Sequence, residues 1–491
     1  MKKYQLSDYY QKALNDYGLD ETWPDGILIN AKKIQDQFLD DKHRLEDFPF
    51  VTIDGEDAKD FDDAIFCSQN DDGFHLKVAI ADVSYYVKPD TPIDKEASKR
   101  TTSVYFIRKV VPMLPENLSN VLCSLQPQKR RRALCVEINF DKQGIIKDYK
   151  FDRGIIKSAA RLTYNEVEGY MNNSSVPDDR IKESLQASFI LFNQLLKQRT
   201  QRGALDFKIV EPTIKIDKDE NVIDVVDRSR LTSHKLIEEF MLAANIVAAD
   251  FLEKNCKKGI FRVHGNPESI KIDRLSQTLR RRSINWQGDI EDIQNLPFFL
   301  EKIQNRKDAS ILNILILQAM QRAEYTTENI GHFGLALKNY THFTSPIRRY
   351  PDVLVHRLLQ TFLDKGPPVS EVALEEACEH SSQREQLATK AERESIKHMQ
   401  MVFMEDKVGQ EFEGVISGVT DRGLYVELIE NKCEGMIRTV DLKDDYFYFD
   451  MDRHALIGDR TKKVYQLGDP IKIEVKKVNI IKRFLDFVPI K

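Results

Sequence analysis

The order of hydrophobic and polar positions changes twice along the chain. In the first part, short apolar runs separated by polar residues predict strands, and residues 75–83 are apolar enough to predict a buried strand. From about 160 to 365 the pattern is mainly that of helices. Residues 233–252 form the clearest helix, because apolar side chains recur there at the spacing of one helix face. These patterns together predict an α+β domain.

The last part of the chain predicts a connector and a small second domain. Residues 371–404 form a long charged segment with helical character, and beyond it apolar and polar side chains alternate. Five short strands in this region fit a small β-barrel. The predicted divisions are a lead-in at 1–45, a main domain at 46–365, a helical connector at 366–406 and a barrel at 407–491.

Composition describes an ordinary globular protein. Of the 491 residues, 41% are hydrophobic and 31% are charged, and the net charge is −5. A negative average does not suggest nucleic-acid binding, although a basic channel can exist beside an acidic site. The six cysteines include no Cys-x-x-Cys pair, which favours buried, reduced thiols. With no signal-peptide pattern and no apolar run long enough for a bilayer, we expect a cytoplasmic protein without membrane contact.

The first candidate site is the acidic stretch at residues 54–63, in which six of ten side chains are carboxylates. Apolar runs flank it on both sides, so we expect it to be partly buried. Carboxylates packed this closely repel one another, and burial increases the repulsion unless a positive charge balances it. Oxygen ligands of this kind suit Mg²⁺ or Mn²⁺. The candidate ligands, which could share one or two ions, are Asp54, Asp60, Asp62 and Asp63.

Two other interpretations of the acidic stretch stay open at this point. It could be a solvated acidic loop, or it could be a structural calcium loop, although its spacing lacks the alternating acids and glycine of an EF-hand. Glu56 and Asp57 are expected to have structural or supporting roles.

The second candidate is a basic turn at residues 345–351, which contains Arg348 and Arg349 beside aromatic side chains. A guanidinium group matches the oxygens of a phosphate with two parallel hydrogen bonds. One of the two arginines could therefore stabilise charge on a reacting phosphate. The alternative is a basic turn on the surface.

Scattered aromatic and acidic side chains could complete a nucleic-acid site. Tyr105, Tyr164 and Phe207 could stack on unpaired bases, although most aromatic side chains in such positions belong to the core. Glu238 and Glu239 lie on the clearest helix, where an inward carboxylate could accept a hydrogen bond from a ribose 2′-hydroxyl. The alternative for this pair is an exposed position that complements the helix dipole.

Two long motifs resemble one known family. The motifs are residues 52–65 and 342–357, with Ile-Ala-Asp-Val-Ser-Tyr-Tyr-Val between them. They resemble the ribonuclease II/ribonuclease R family, and their amino-acid sequence is closer to that of ribonuclease R. The resemblance implies an α+β RNB catalytic domain, with a mixed β-sheet core and helices, followed by an S1-type OB-fold β-barrel. It also implies a monomeric, processive 3′→5′ exoribonuclease that uses Mg²⁺, with Mn²⁺ as an alternative, and releases nucleoside 5′-monophosphates from the 3′ end of single-stranded RNA.

The resemblance also implies roles for individual residues. Asp54 and Asp63 resemble direct metal ligands, Asp60 and Asp62 resemble their partners, and Asp62 resembles the most critical catalytic residue. Arg348 resembles the arginine on the scissile phosphate. The expected RNA contacts are Tyr105 and Phe207 at the terminal nucleotides, Tyr164 and Glu238 as positioning residues, and Arg349, Phe412 and Tyr425.

The sequence differs from the family pattern in two places. Members carry cold-shock domains ahead of the catalytic domain, whereas here the acidic stretch begins at residue 54, so we expect residues 1–45 to be the tail of that region. In the barrel, Met436 occupies a strand where a histidine is common.

Two rival functions stay open on the sequence. An RNA-binding member of the same family with weak or no catalysis would be expected to lack an acidic-loop aspartate or an arginine of the pair, yet all of them are present. The second rival is a DNA-directed phosphodiesterase that uses the same metal loop.

Overall fold

A computed structural model of the chain describes residues 6–36, 45–172, 176, 178–205, 212–227, 230–256, 258–281, 284, 295–304, 306, 309–363, 370–450 and 455–490. The helices are α1 Leu6–Tyr17, α2 Ile27–Lys33, α3 Val83–Tyr86, α4 Pro92–Arg100, α5 Tyr164–Met171, α6 Asp179–Gln201, α7 Thr232–Asn255, α8 Ser269–Arg281, α9 Leu296–Ile303, α10 Ala309–Ala319, α11 Tyr350–Leu363 and α12 Glu371–Met404.

The strands complete the secondary structure of these residues. They are β1 Val51–Asp54, β2 Asp63–Asn70, β3 Gly73–Ala81, β4 Val104–Phe106, β5 Lys109–Val111, β6 Arg130–Phe140, β7 Ile146–Lys157, β8 Ala160–Thr163, β9 Pro212–Ile216, β10 Val222–Asp227, β11 Phe261–Val263, β12 Glu324–Thr326, β13 Glu411–Thr420, β14 Gly423–Leu428, β15 Glu434–Arg438, β16 Phe447–Asp450, β17 Ala455–Gly458, β18 Val464–Gln466, β19 Pro470–Asn479 and β20 Phe484–Pro489.

The main domain is built on a mixed sheet with the strand order β7-β6-β3-β2-β1-β8. Neighbouring strands are antiparallel except β1 and β8, which run parallel. β3 lies inside the sheet, and the side chains of Leu76, Val78 and Ile80 are fully buried. This explains the continuous apolar run that predicted a buried strand, since both faces of β3 are covered.

Helices cover the sheet and bring the second half of the chain to it. α6 packs on β2 and α7 packs on β3. The Ser184 hydroxyl of α6 accepts a hydrogen bond from the Cys67 backbone N–H at 3.0 Å. α11 adds Val355 and Leu359 to the same hydrophobic core. The helical region also contains two small antiparallel sheets, the hairpin β9–β10 and the pairing of β11 with the distant β12, which the sequence pattern did not predict.

The N-terminal segment packs against distant parts of the chain. Tyr9 and Ala13 of α1 are buried in a cluster with Val104 of β4 and with Ala391 and Met399 of α12. α2 contributes Ile27 and Ala31 to the core of the main domain. The segment therefore has no core of its own, as its polar sequence indicates, but it joins two cores formed by later residues.

The C-terminal domain is a closed barrel of β13, β14, β15, β20 and β19, as the alternation predicted. A further sheet of β16, β17 and β18 is inserted between β15 and β19, and the sequence did not predict it. α12 leads into the barrel, and the Lys397 ammonium forms an ion pair with Glu434 of β15 at 3.0 Å.

The structure also describes the state of the cysteines and the character of the helices. All six cysteines are free thiols, and only Cys256 is partly exposed. Among the helices in the described ranges, none combines the length and the apolar character that crossing a membrane requires.

Candidate active site

The acidic stretch forms the connection between two neighbouring strands. Asp54 is the last residue of β1 and Asp63 is the first residue of β2, and these strands are antiparallel partners. The connection is held from inside by Ser124, whose hydroxyl accepts from the Phe61 N–H at 3.1 Å and donates to the Lys59 carbonyl at 2.7 Å. The carboxylates at the two strand ends and on the loop are thereby gathered at one edge of the sheet.

Asp62 is the aspartate on which the acidic loop meets the arginine turn. Its side chain is only 5% exposed, and its Oδ1 atom accepts a hydrogen bond from the Ile347 backbone N–H at 2.9 Å. The Nε atom of Arg348 lies 3.4 Å from the Asp62 Oδ2 atom. The Arg348 side chain is 48% exposed, and its Nη2 atom donates to the Ser345 hydroxyl at 3.0 Å. The exposed side of the guanidinium group can also reach a substrate phosphate.

The arginine turn is shaped by Asp352 in the first turn of α11. Its Oδ1 atom accepts from the Ser345 backbone N–H and from the Arg349 guanidinium, both at 2.8 Å. Asp352 is fully buried. The two adjacent arginines therefore have different environments: Arg348 faces Asp62, and Arg349 is paired with Asp352.

Burial sets the protonation of the acidic loop. It raises the pKa of Asp62 to about 8, although the Arg348 cation and the Ile347 N–H act in the opposite direction. The pKa values of Asp54 and Asp63 are also raised, first by burial and then by repulsion between neighbouring carboxylates. The positive charge of Arg348 thus offsets only part of the cost of burying these carboxylates side by side.

This shortage of positive charge, together with an all-oxygen set of donors, fits a divalent cation such as Mg²⁺. Within the part of the chain that the structure describes, no group of three or more Asp, Glu, His or Cys side chains is arranged to hold a metal ion. Mg²⁺ commonly binds through one or two protein carboxylates and completes its shell with water and substrate phosphate. The carboxylates of the loop would supply part of the shell of such a cation, and water and substrate phosphate would supply the rest.

Tyr105 lies beside this site. It belongs to the β4–β5 hairpin, and its side chain is 40% exposed. Its pKa is raised, first by burial and also by Asp60 and Asp62, whereas Arg348 lowers it, so the phenol group is close to these three residues. The strand is connected to the arginine turn by the Ser103 N–H, which donates to the Arg348 carbonyl at 3.0 Å. The structure thus brings Tyr105 to the same place as the acidic loop.

Tyr164 and Glu238 each contact other side chains of the protein. The Tyr164 ring is stacked on His234, with 3.9 Å between the ring centroids. Glu238 pairs with Arg199 and Arg230 and lines a cavity of about 250 Å³. Burial acts to raise the pKa of Glu238, but these two arginines lower it below its ordinary value. The adjacent Glu239 is 4% exposed and pairs with Arg199, so Glu238 is the more accessible of the two carboxylates.

The remaining expected RNA contacts lie elsewhere. Phe207 falls outside the described residues. In the barrel, Tyr425 is 38% exposed on β14 and, with Met436 and Phe484, lines a cavity of about 380 Å³ next to α12. Phe412 is half-buried and packs against the barrel core. Tyr425 is therefore better placed than Phe412 to stack on a base.

Arg161 is a residue of this site that the sequence did not reveal. Its Nη2 atom donates to the carbonyls of Gly55 and Glu56 at 2.6 and 2.7 Å, and its charge acts to lower the pKa of Asp54. Asn165 contacts the same part of the acidic loop, since its amide donates to the Glu56 side chain at 3.0 Å. Both contacts involve single side chains without a spacing pattern, so only the folded chain shows them.

Comparison with known proteins places the chain in a family. The profile of the RNB domain matches residues 42–365, and that of the S1 RNA binding domain matches residues 405–483. Ribonuclease R of Escherichia coli is 36% identical over 496 residues, which cover 97% of this chain and 61% of the relative. Ribonuclease R of Vibrio parahaemolyticus is also 36% identical, with 97% of this chain and 60% of the relative covered. The chain belongs to the ribonuclease R family.

The solved structures agree with this assignment. Mycoplasma genitalium RNase R in complex with ribose methylated single-stranded RNA superposes with a TM-score of 0.94 at 31% identity, over 99% of this chain and 78% of the other. The expected ribonuclease R resemblance and the expected order of an RNB domain and an S1 domain are confirmed. The chain spans about three-fifths of the length of the curated relatives that it matches.

Proposed function

We propose that the protein is a 3′→5′ exoribonuclease that hydrolyses single-stranded RNA from its 3′ end and releases nucleoside 5′-monophosphates. One observation carries this proposal: Ile347, which lies 285 residues later in the chain, and the adjacent Arg348 both contact the buried Asp62. An acidic loop alone could bind many cations. An acidic loop joined to an exposed guanidinium group, with an aromatic ring beside it, suits the phosphodiester of an unpaired strand.

Mg²⁺ is the proposed cofactor, and Mn²⁺ is the alternative. Asp54, Asp60, Asp62 and Asp63 would hold it. When bound, the cation supplies positive charge that stabilises the attacking and leaving oxygens of an in-line displacement at phosphorus.

The residues of the chain then have distinct tasks in hydrolysis. Arg348 binds a phosphate oxygen and stabilises its charge, and its contact with Asp62 fixes its position. Water adds to phosphorus, the bond from phosphorus to the 3′ oxygen of the preceding ribose breaks, and a proton passes to that oxygen. The released nucleotide therefore keeps a 5′-phosphate, and the shortened strand ends in a new 3′-hydroxyl.

The aromatic residues account for the preference for an unpaired 3′ end. Tyr105 stacks on the terminal nucleotide beside the acidic loop, and Tyr164 positions the strand. Glu238 accepts a hydrogen bond from a ribose 2′-hydroxyl, which separates RNA from DNA. Tyr425 in the S1 barrel provides a second contact with the RNA, at a distance from the active site, so the strand stays bound between successive cleavages. We further propose that the protein acts as a monomer in the cytoplasm, where its free thiols stay reduced.

The experiment that tests this proposal compares single-stranded RNA and DNA of the same sequence, each labelled at one end and incubated with Mg²⁺ or with EDTA. We expect RNA to be degraded in Mg²⁺ only and DNA to remain intact. Degradation of DNA at the rate of RNA would favour the rival DNA-directed phosphodiesterase. RNA that is bound but not cut in Mg²⁺ or Mn²⁺ would favour an RNA-binding protein without catalysis.

A further inference from the structure

Thr101 has a backbone conformation that threonine rarely adopts. It directly follows the last residue of α4, and its φ and ψ angles are 64° and −38°. It is the only β-branched residue with a positive φ among the residues that the structure describes. Glycine adopts a positive φ readily, whereas a side chain branched at Cβ is strained there. Backbone strain persists only where the surrounding structure enforces it, and it is concentrated at functional sites.

The strain at Thr101 belongs to a γ-turn. The Thr102 backbone N–H donates to the Arg100 carbonyl at 2.8 Å, so the turn closes over three residues. A γ-turn with a positive φ is the rare and strained form. The usual left-handed end of a helix differs from it, because ψ is positive there. The Thr101 hydroxyl adds a constraint by donating to the Ser98 carbonyl at 2.7 Å. The chain therefore reverses sharply and in a fixed way directly after α4.

The end of α4 is itself held in place. The buried Arg100 guanidinium pairs with Glu96 of the same helix at 2.8 Å. It also donates to the Thr22 carbonyl at 2.7 Å and to the Pro112 carbonyl at 3.2 Å. These contacts come from the N-terminal segment and from the segment that follows β5. The helix end therefore cannot shift to relieve the strain at the next residue.

The backbone from the γ-turn onward is paired with the arginine turn. The Thr101 carbonyl accepts a hydrogen bond from the Tyr350 N–H at 2.8 Å. The Arg348 carbonyl accepts from the Ser103 N–H at 3.0 Å and from the Thr102 hydroxyl at 3.2 Å. An isolated antiparallel bridge lies between these contacts. The γ-turn thus sets the register of the backbone that carries Arg348, although the two segments are far apart in the sequence.

We propose that Thr101 is a positioning residue, whose strained γ-turn holds Arg348 in the orientation that meets the scissile phosphate. The proposal rests on the proposed function. A β-branched side chain with a hydrogen-bonded hydroxyl leaves the turn little freedom, whereas glycine at the same position would leave it much more. Because reaction rates depend steeply on the alignment of a catalytic group with the substrate, added freedom at Arg348 lowers turnover more than it lowers binding.

The first test compares Thr101→Gly with the wild type in activity and in stability. We expect kcat to fall about tenfold, with KM for RNA changed by less than about twofold. The midpoint of unfolding in urea should not fall, because glycine removes the strain. A loss of activity without a loss of stability separates a positioning role from a structural one.

Two further variants serve as controls. Thr101→Ser should keep kcat within about twofold of the wild type, since its hydroxyl can donate to the same carbonyl. Glu220→Gly is the matched control, because Glu220 also has a positive φ, of 63°, and lies exposed in the turn between β9 and β10. It should leave kcat unchanged.

Hydrogen exchange in EDTA measures the turn without catalysis. The amides of Ser103 and Tyr350 donate the hydrogen bonds that join the two segments. We expect both amides to exchange faster in Thr101→Gly than in the wild type, because these bonds open more often when the turn is free. Thr101→Ser should exchange like the wild type.

A second background identifies the residue through which Thr101 acts. In an Arg348→Ala protein, the additional Thr101→Gly change should have no further effect on kcat. The proposal would be overturned by an equal additional loss in that background, by unchanged exchange or unchanged kcat in Thr101→Gly, or by an unfolding midpoint that falls together with kcat. Wild-type protein that binds RNA without cleaving it would overturn the proposed function, and the role of Thr101 with it.

Discussion

Asp62 and Arg348 depend on each other more than two surface charges would. Asp62 is almost completely buried, and it receives the Ile347 N–H and faces the Arg348 guanidinium. Removing one member of a buried ionic contact leaves the other without compensation, which is costly. The acidic loop and the arginine turn are therefore parts of one site, and Asp62 is the residue at which they meet.

At the same scale, Arg161 is expected to control the affinity of the acidic loop for metal. Arg161→Ala removes two hydrogen bonds to loop carbonyls and a positive charge near Asp54. The loop then samples more conformations, so we expect the dissociation constant for Mn²⁺, measured by direct titration, to rise about tenfold. RNA binding in EDTA should change little, because the Arg161 guanidinium group donates its hydrogen bonds to carbonyls of the loop.

Two further variants check this role of Arg161. Arg161→Lys should recover part of the affinity, since an ammonium group can also donate to both carbonyls. Arg180→Ala removes an exposed arginine on α6 and should leave Mn²⁺ binding unchanged. An Arg161→Ala protein with wild-type affinity for Mn²⁺ would mean that the loop keeps its shape without this contact.

At the scale of elements, α1, α12 and the barrel meet at one junction. Arg483, in the turn between β19 and β20, pairs with Asp16 of α1 at 2.8 Å and with Glu394 of α12. Beside it, the Tyr9 ring is stacked on His398, with centroids 4.3 Å apart. His398 is only 2% exposed. The junction therefore joins three segments that are far apart in the sequence through a small set of charged and aromatic groups.

This junction is expected to weaken in acid. The pKa of His398 is lowered to about 4, first by burial and then by the positive charges of Arg483 and Lys12. A histidine in the unfolded chain has a pKa of about 6.5. Because the pKa of His398 is lower in the folded protein, folding favours the neutral form of its side chain. The stability from this site is present above about pH 6.5 and is lost as the pH falls toward about 4, by about 3 kcal/mol at most.

The measurement is the free energy of unfolding in urea at several pH values, for the wild type and for His398→Gln. We expect the variant to be less stable at pH 7 but to lose less stability between pH 6.5 and 4. The comparison cancels the contribution of the aspartates, which are the same in both proteins. Identical pH slopes would show that His398 does not take up a proton on unfolding in this range.

The elements differ in how well the sequence predicted them. α12 covers Glu371–Met404, as its charged helical pattern indicated, because a long helix is set by local sequence. The packing of α1 could not be predicted in this way. Its buried residues Tyr9 and Tyr10 find their partners on α12 and on β4, and no periodicity within α1 identifies partners that distant. The inserted strands β16–β18 were missed because they lie inside the alternating pattern of the barrel.

At the scale of the whole molecule, the motifs identified the two charged segments that the fold brings together, but not the residues that hold these segments in place. The acidic stretch and the arginine turn are dense in charge, and density of charge is visible in a sequence. Arg161 and Ser124 bind backbone groups of another segment, so their effect depends on the fold and leaves no pattern in the sequence. The net charge of −5 was also uninformative, since the exposed Arg348 lies directly beside the most acidic part of the chain.

The central claim is that one site, made of the acidic loop and the arginine turn, removes nucleotides from the 3′ end of RNA. The most direct measurement follows single-stranded RNA labelled at either its 5′ or its 3′ end, in Mg²⁺, with wild-type protein and Asp62→Asn. We predict that the 3′ label appears at once in a nucleoside 5′-monophosphate while the 5′-labelled strand shortens stepwise, and that Asp62→Asn binds RNA but does not cleave it. Early release of the 5′ label, internal fragments, or turnover by Asp62→Asn would contradict the account.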